Sequence, residues 1–229
     1  MDADGNPMAA LEALVPESVE GRSDQTSRQY LRLRTDILAG RFDRGSVLLE
    51  TSLSAQYGVS RTPVREALNL LVHDGLLERA DRGYHVRSGT PEDVVEIYAA
   101  RIALEAEAAS SAATRRTELD LARLEQVHRL CCTTDDPAVA RTAHFRFHEV
   151  LWQAAHNATI TAILVRLTTQ LHIYDSGPPA SHGEPAALNA EHAAILTALR
   201  ERDEEAARRE MRSHLERSRD QRIRAFAGG

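Results

Sequence analysis

Apolar residues recur every three or four positions along most of the chain, and only short runs read as strand. The first helical pattern covers Gln25 to Ala39, with Tyr30, Leu33 or Arg34, Ile37 and Leu38 on one face and Gly40 as its stop. Arg41 to Leu49 reads as a turn and a short extended piece, bent at Gly45. A second helix starts near Thr51. A third runs from Arg61 to Asp74, where Val64, Leu68, Leu71 and Val72 form one stripe at i, i+4, i+7 and i+8. Ser60 stands at its N-cap, Pro63 inside its first turn and Gly75 at its end. Leu76–Arg79 and Tyr84–Arg87 are two short strand candidates, and Ala80-Asp81-Arg82-Gly83 between them carries hairpin chemistry.

From Thr90 and Pro91, a cap and a first-turn proline, everything reads as helix. The segments are 91–113, 117–132, 136–157, 159–175, 185–201 and 203–226. The expected fold is mainly α: an N-terminal winged helix-turn-helix followed by an all-helical antiparallel bundle. The expected divisions are a flexible arm over 1–24 with a transient helix at Ala9–Leu14, a DNA-binding domain over 25–89, and a helical domain over 90–229.

Composition changes this picture in one respect. Hydrophobic residues make up 42% of the 229 positions but aromatics only 4%, so the cores are aliphatic. A net charge of -6 argues against a nucleic-acid partner until the chain is divided. Residues 22–90 hold 11 arginines against 8 acidic residues, and the remainder holds 17 against 26. The basic excess lies where the helix-turn-helix lies. Every basic side chain of that count is arginine, which reflects coding bias and carries no mechanism. Cys131 and Cys132 are adjacent and belong to no CxxC pattern, so a reducing compartment is expected. With no leader pattern and no apolar run near 18 residues, the expectation is a soluble, cytoplasmic protein without membrane contact.

The stretch Leu53–Leu77 carries the DNA chemistry. Arg61 and Arg65, one turn apart, can reach guanine O6 and N7 in the major groove. Ser60, Thr62 and the helix N-terminus suit phosphates, and Arg82 and Gly83 at the hairpin tip can approach the backbone or minor groove. The competing reading, arginines that merely solvate a helix, loses ground once helix, helix-turn-helix and hairpin occur in this order. Leu53, Gly58, Ser60, Arg61, Pro63, Val64, Arg65, Ala67 and Leu68 resemble the winged-helix signature of GntR-type bacterial regulators. That resemblance implies DNA contacts at Ser60, Arg61, Thr62, Arg65 and Gly83. It also implies a homodimer on a palindromic double-stranded operator.

Ten histidines are many for this length. His144 and His148 are four apart and project from one helix face. His192 and His214 lie about 10 positions before and 11 after the expected turn at 202–203, hence at equal depth in a helical hairpin. Taken one at a time, each is more simply a solvated or satisfied core histidine. An i, i+4 pair facing a depth-matched pair favours a metal site. The helical half resembles the effector domain of FadR-type regulators, the FCD class, through Phe147-His148, Ala154-Ala155-His156-Asn157, Glu191-His192 and His214-Leu215. His144 stands where that class usually has aspartate. The resulting four-nitrogen set favours Zn, Ni, Cu or Fe over Mg, Ca or Mn, with Zn or Ni first.

By the same resemblance Arg101 faces the effector cavity and pairs with a carboxylate. The plainer alternative is an i, i+4 ion pair with Glu105. His128, His172 and His182 receive no role, although His172 and Tyr174 could line a cavity. The expected function is a transcriptional repressor, not an enzyme, controlled by a small organic acid bound at the metal. The alternatives are a sensor of the metal itself and, further back, a metal-dependent enzyme.

Overall fold

The computed structural model describes residues 23–43, 45–174 and 185–227. The arm with its expected helix at Ala9–Leu14, His182, and the side chains of His172 and Tyr174 lie outside the described residues. The chain begins with α1 (Asp24–Leu38), β1 (Val47–Leu48), α2 (Glu50–Tyr57) and α3 (Arg61–His73), then the hairpin β2 (Leu77–Arg79) and β3 (Tyr84–Val86). Six helices follow: α4 (Pro91–Arg115), α5 (Glu118–Thr133), α6 (Pro137–Ala154), α7 (Ala158–Tyr174), α8 (Pro185–Glu201) and α9 (Glu204–Ala227).

The punctuation works as its chemistry dictates. Gly58 closes α2 in the left-handed region at φ 66°. Thr90 accepts from the Asp93 amide while Asp93 accepts from the Thr90 amide, a reciprocal cap ahead of α4 with Pro91 in its first turn. Thr117 and Asp120 repeat this arrangement at α5. Ser60 departs from expectation. It occupies the N-cap position of α3 with extended backbone, but its exposed side chain makes no capping bond. The short extended piece expected within Arg41–Leu49 is realised as the two-residue β1, but its pairing was not foreseen. It pairs antiparallel with β3, so the sheet order is β1-β3-β2.

Tyr30 and Leu33 of α1, Val64, Leu68 and Leu71 of α3, and Tyr84 and Val86 of β3 close the first core. This core continues past residue 90, taking in Val94, Ile97 and Tyr98 of α4 and Leu171 of α7. A second core, built around Phe147, Leu151, Trp152, Ile195, Leu199 and Met211, fills the helical half. There α9 packs chiefly along α4, and α5 along α6. The halves meet where α7 passes under the winged helix. Arg34 Nη2 donates to Thr169 Oγ1 at 3.2 Å, and Gln170 Nε2 donates to the Asp74 carbonyl at the end of α3 at 2.9 Å. Gly75, at φ +76°, leaves room for that amide, because a Cβ there would collide with the Gln170 side chain.

Candidate DNA-reading face and metal centre

Helix α3 buries Pro63, Val64, Ala67, Leu68, Leu70 and Leu71 and turns its other face outward. Arg61, Thr62 and Arg65 are exposed on that face, with Ser60 exposed at its start and Arg82 exposed at the hairpin tip. Arg61 Nη2 lies 3.5 Å from Glu50 Oε2, a solvent-exposed pair that binds it weakly. Gly83 has a folding reason for its identity. It sits at φ +81°, and a Cβ would strike the Leu48 carbonyl of β1. Sequence reasoning passed over Arg79. From β2 its Nη2 donates to Asn69 Oδ1 of α3 at 2.7 Å, so a wing arginine is tied to the recognition helix. Arg79 stands two residues after the buried Leu77, on the same face of β2, and that spacing was the available signal.

In the helical half, α6 carries His144 and His148, α8 carries His192, and α9 carries His214. His192 and His214 do meet at one depth, with ring centroids 5.0 Å apart. His148 Nε2 lies 3.1 Å from His214 Nε2. Each of these two rings also bonds through Nδ1 to a carboxylate: His148 to Glu105 Oε2 at 2.6 Å and His214 to Glu191 Oε2 at 2.6 Å. A carboxylate only accepts, so Nδ1 is the protonated nitrogen of each ring. With both rings neutral, the two Nε2 lone pairs face each other at hydrogen-bond distance. Burial pulls His214 below its ordinary pKa despite the Glu191 bond, and so opposes relief by a proton.

His192 sharpens this. It is fully buried, and neither of its ring nitrogens has a hydrogen-bond partner. Burial, followed by the neighbouring imidazoles of His214, His148, His144 and His128, holds it well below its ordinary pKa. Phe147 stacks on its face at 4.0 Å. One ligand atom each from His148, His192 and His214 lies within 4.8 Å of the others. Three lone pairs converging in a buried place, two of them oriented by carboxylates, suit a divalent ion. His144 stands one step aside, its ring 5.1 Å from His192, and groups instead with His192 and Cys131.

Arg101 pairs with Glu105, through Nε at 2.9 Å and Nη2 at 2.6 Å to Oε1. This is not the weak surface pair that an i, i+4 spacing suggested, because both side chains are buried. Burial raises the Glu105 carboxyl, but Arg101, His148 and the Trp152 indole overturn that and hold it at about 2. Arg101, Glu105, His148, His214, Glu191 and Arg217 thus form one continuous polar chain, ending in the 2.8 Å contact of Arg217 Nε with Glu191 Oε1.

A winged helix-turn-helix presenting an exposed arginine-bearing helix, joined to a helical bundle with a buried histidine cluster, defines a DNA-binding regulator with a second, helical half. The family model for bacterial regulatory proteins of the gntR family matches residues 25–84, and that for the FCD domain matches residues 96–217. The chain belongs to the GntR family of bacterial transcriptional regulators, with an FCD domain, an architecture consistent with the FadR subfamily. It is 31% identical to the uncharacterized HTH-type transcriptional regulator YdhC of Bacillus subtilis, over 81% of this chain and 85% of that one. It is 30% identical to the HTH-type transcriptional repressor RspR of Escherichia coli, over 82% and 84%. A putative transcriptional regulator GntR from Rhodococcus sp. RHA1 superposes with a TM-score of 0.69 at 26% identity, over 89% of this chain and 99% of that one. These relatives are regulators, not enzymes. Among the described residues no helix is long and apolar enough to cross a membrane.

Proposed function

We propose that the protein is a cytoplasmic, homodimeric repressor of a palindromic operator. A small organic acid, bound at a divalent transition metal in the helical half, controls it. The observation that carries the regulatory half is His192, a buried imidazole without a partner at either nitrogen, beside two facing Nε2 atoms. His148, His192 and His214 hold the ion, with His144 of the expected four one step aside next to His192, and Zn or Ni come first for a nitrogen-rich set. A divalent ion there supplies a positive anchor for a carboxylate. Glu105 and Glu191 fix the tautomers and orientations of His148 and His214. Arg101 spends Nε and Nη2 on Glu105 and has Tyr98 as a further partner, and a guanidinium with five donors can still offer one to a ligand carboxylate.

On DNA, Arg61 and Arg65 read base edges, Ser60 and Thr62 with the α3 N-terminus hold phosphate, and Arg82 and Gly83 bring the wing to the backbone. Repression as the mode rests on relatives such as RspR that carry that name. For the acid to control DNA binding, it must favour one arrangement of the two winged helices over the other.

The test is an electrophoretic shift on the DNA upstream of the protein's own gene, at moderate salt, with stripped and metal-loaded protein and a panel of carboxylic acids. We expect binding, a loss of about 5- to 150-fold for Arg65→Ala, equivalent to about 1–3 kcal/mol, and release by an acid only when metal is loaded. No binding under any condition sinks the DNA half of the reading. Release by acid with or without metal sinks the metal anchor, and a change of affinity with metal alone makes the ion itself the effector.

A further inference from the structure

Cys131 lies outside the histidine set just described, yet it sits against it. Its side chain is buried near the end of α5, where α6 brings His144 and α8 brings His192. The Cys131 sulfur and one ring nitrogen from each of these histidines lie within 4.8 Å of one another. Its neighbour Cys132 is turned elsewhere: it is exposed, and its sulfur is 3.6 Å from His128 Nε2. Asn189, on α8 three residues before His192, donates Nδ2 to the Cys131 carbonyl at 3.4 Å, which ties the end of α5 to the helix that carries His192.

The second observation is again His192. It belongs to both groups, Cys131–His144–His192 and His148–His192–His214. An imidazole has two ring nitrogens, and here neither meets a hydrogen-bond partner although the ring is fully buried. Phe147 covers its face, so its polar edge is what remains to be satisfied. A buried group of this kind costs free energy unless something outside the described hydrogen-bond network satisfies it.

We infer that Cys131 is a metal ligand, forming with His144 and His192 a sulfur-containing donor set that adjoins His148 and His214 and makes the centre selective for thiophilic ions. This rests on the metal reading above and deepens it. An all-imidazole set is neutral, whereas a thiolate brings one negative charge and a soft donor, which favours Zn and Co over Mn and Mg. Coordination exchanges the S–H bond for a sulfur–metal bond, and the proton leaves to solvent.

Cobalt(II) distinguishes the donors spectroscopically. The full chain, stripped with chelator, is titrated with cobalt while absorption is followed. We expect a strong near-ultraviolet thiolate-to-cobalt charge-transfer band that saturates with binding, persists in Cys132→Ser and disappears in Cys131→Ser. Cobalt uptake with only visible ligand-field absorption overturns the thiolate ligand and leaves the histidine centre standing. No uptake overturns both. A band lost in Cys132→Ser but kept in Cys131→Ser assigns the sulfur to the other cysteine and overturns the inference. The wild-type and Cys132→Ser spectra decide the matter even if Cys131→Ser folds poorly.

Discussion

Glu105 accepts from Arg101, His148 and Trp152 at once and is fully buried. Glu105→Gln keeps the shape but leaves the buried Arg101 without its counter-charge. The expected cost is about 3–5 kcal/mol, read from denaturant melts, and an unchanged midpoint would refute the pair's importance. Asp74 gives the pH counterpart. Burial raises its carboxyl above the ordinary value, against the opposing bond from the Tyr30 hydroxyl at 2.6 Å. The folded state therefore holds this proton where the unfolded chain has lost it. Stability from this group is present below the unfolded pKa and is lost as pH rises through the folded one. Asp74→Asn can still accept from Tyr30 and cannot ionise. Its Tm should gain on wild type as pH rises from 4 to 8, and a gap constant with pH would contradict this. Of these residues, the i, i+4 spacing of Arg101 and Glu105 was legible. Their burial was not, because it is α6 and α9 that cover them.

At the scale of elements, the joint between α7 and the end of α3 is the most exacting contact. Gly75→Ala places a side chain in left-handed backbone and into the Gln170 amide, at an expected cost of at least about 2 kcal/mol. Gln170→Ala removes the donor to the Asp74 carbonyl, worth about 1–3 kcal/mol where that carbonyl stays buried. The double variant should cost less than the sum, because shortening Gln170 removes the collision but not the backbone strain. Additivity in a double-mutant cycle would place the Gly75 constraint in the backbone alone. The helix boundaries could be read from Thr90-Pro91, Gly58 and Gly75, whose chemistry is local. The pairing of β1 could not, since two residues carry no register signal and the partner lies over thirty positions away.

For the whole molecule, Trp152 is a built-in reporter. It is the single tryptophan, fully buried, bonded through its indole nitrogen to Glu105, with its ring 6.4 Å from that of His148. Loading Zn or Ni should change its emission and raise Tm. At about a hundredfold excess over Kd the stabilisation is about 2.7 kcal/mol. That corresponds to about 5–10 °C for a chain of this length, if the halves unfold together. Neither signal moving on metal addition, with metal content measured on the same sample, would remove the metal from the centre. Interdomain bonds from Arg34 and Gln170 join the winged helix to α7, three helices on from α4 and packed beside both it and α6, the helix that carries His144 and His148.

The local features of this protein are determined by the sequence itself. Periodicity, caps and turn glycines specify the winged helix and the order of helices, because their physics acts within a few residues. The arginines of α3 are exposed for the same reason, lying off a stripe that must be buried. Equal depth of His192 and His214 also followed from chain geometry, since a tight turn makes helix rise a ruler. What only the tertiary structure decided is which side chains share a buried space. It brought His148 and His214 nitrogen to nitrogen and backed each with a carboxylate. It left His192 unpaired among them and set Cys131 beside His144. Those relations join residues tens of positions apart, and helix packing, not local pattern, selects them.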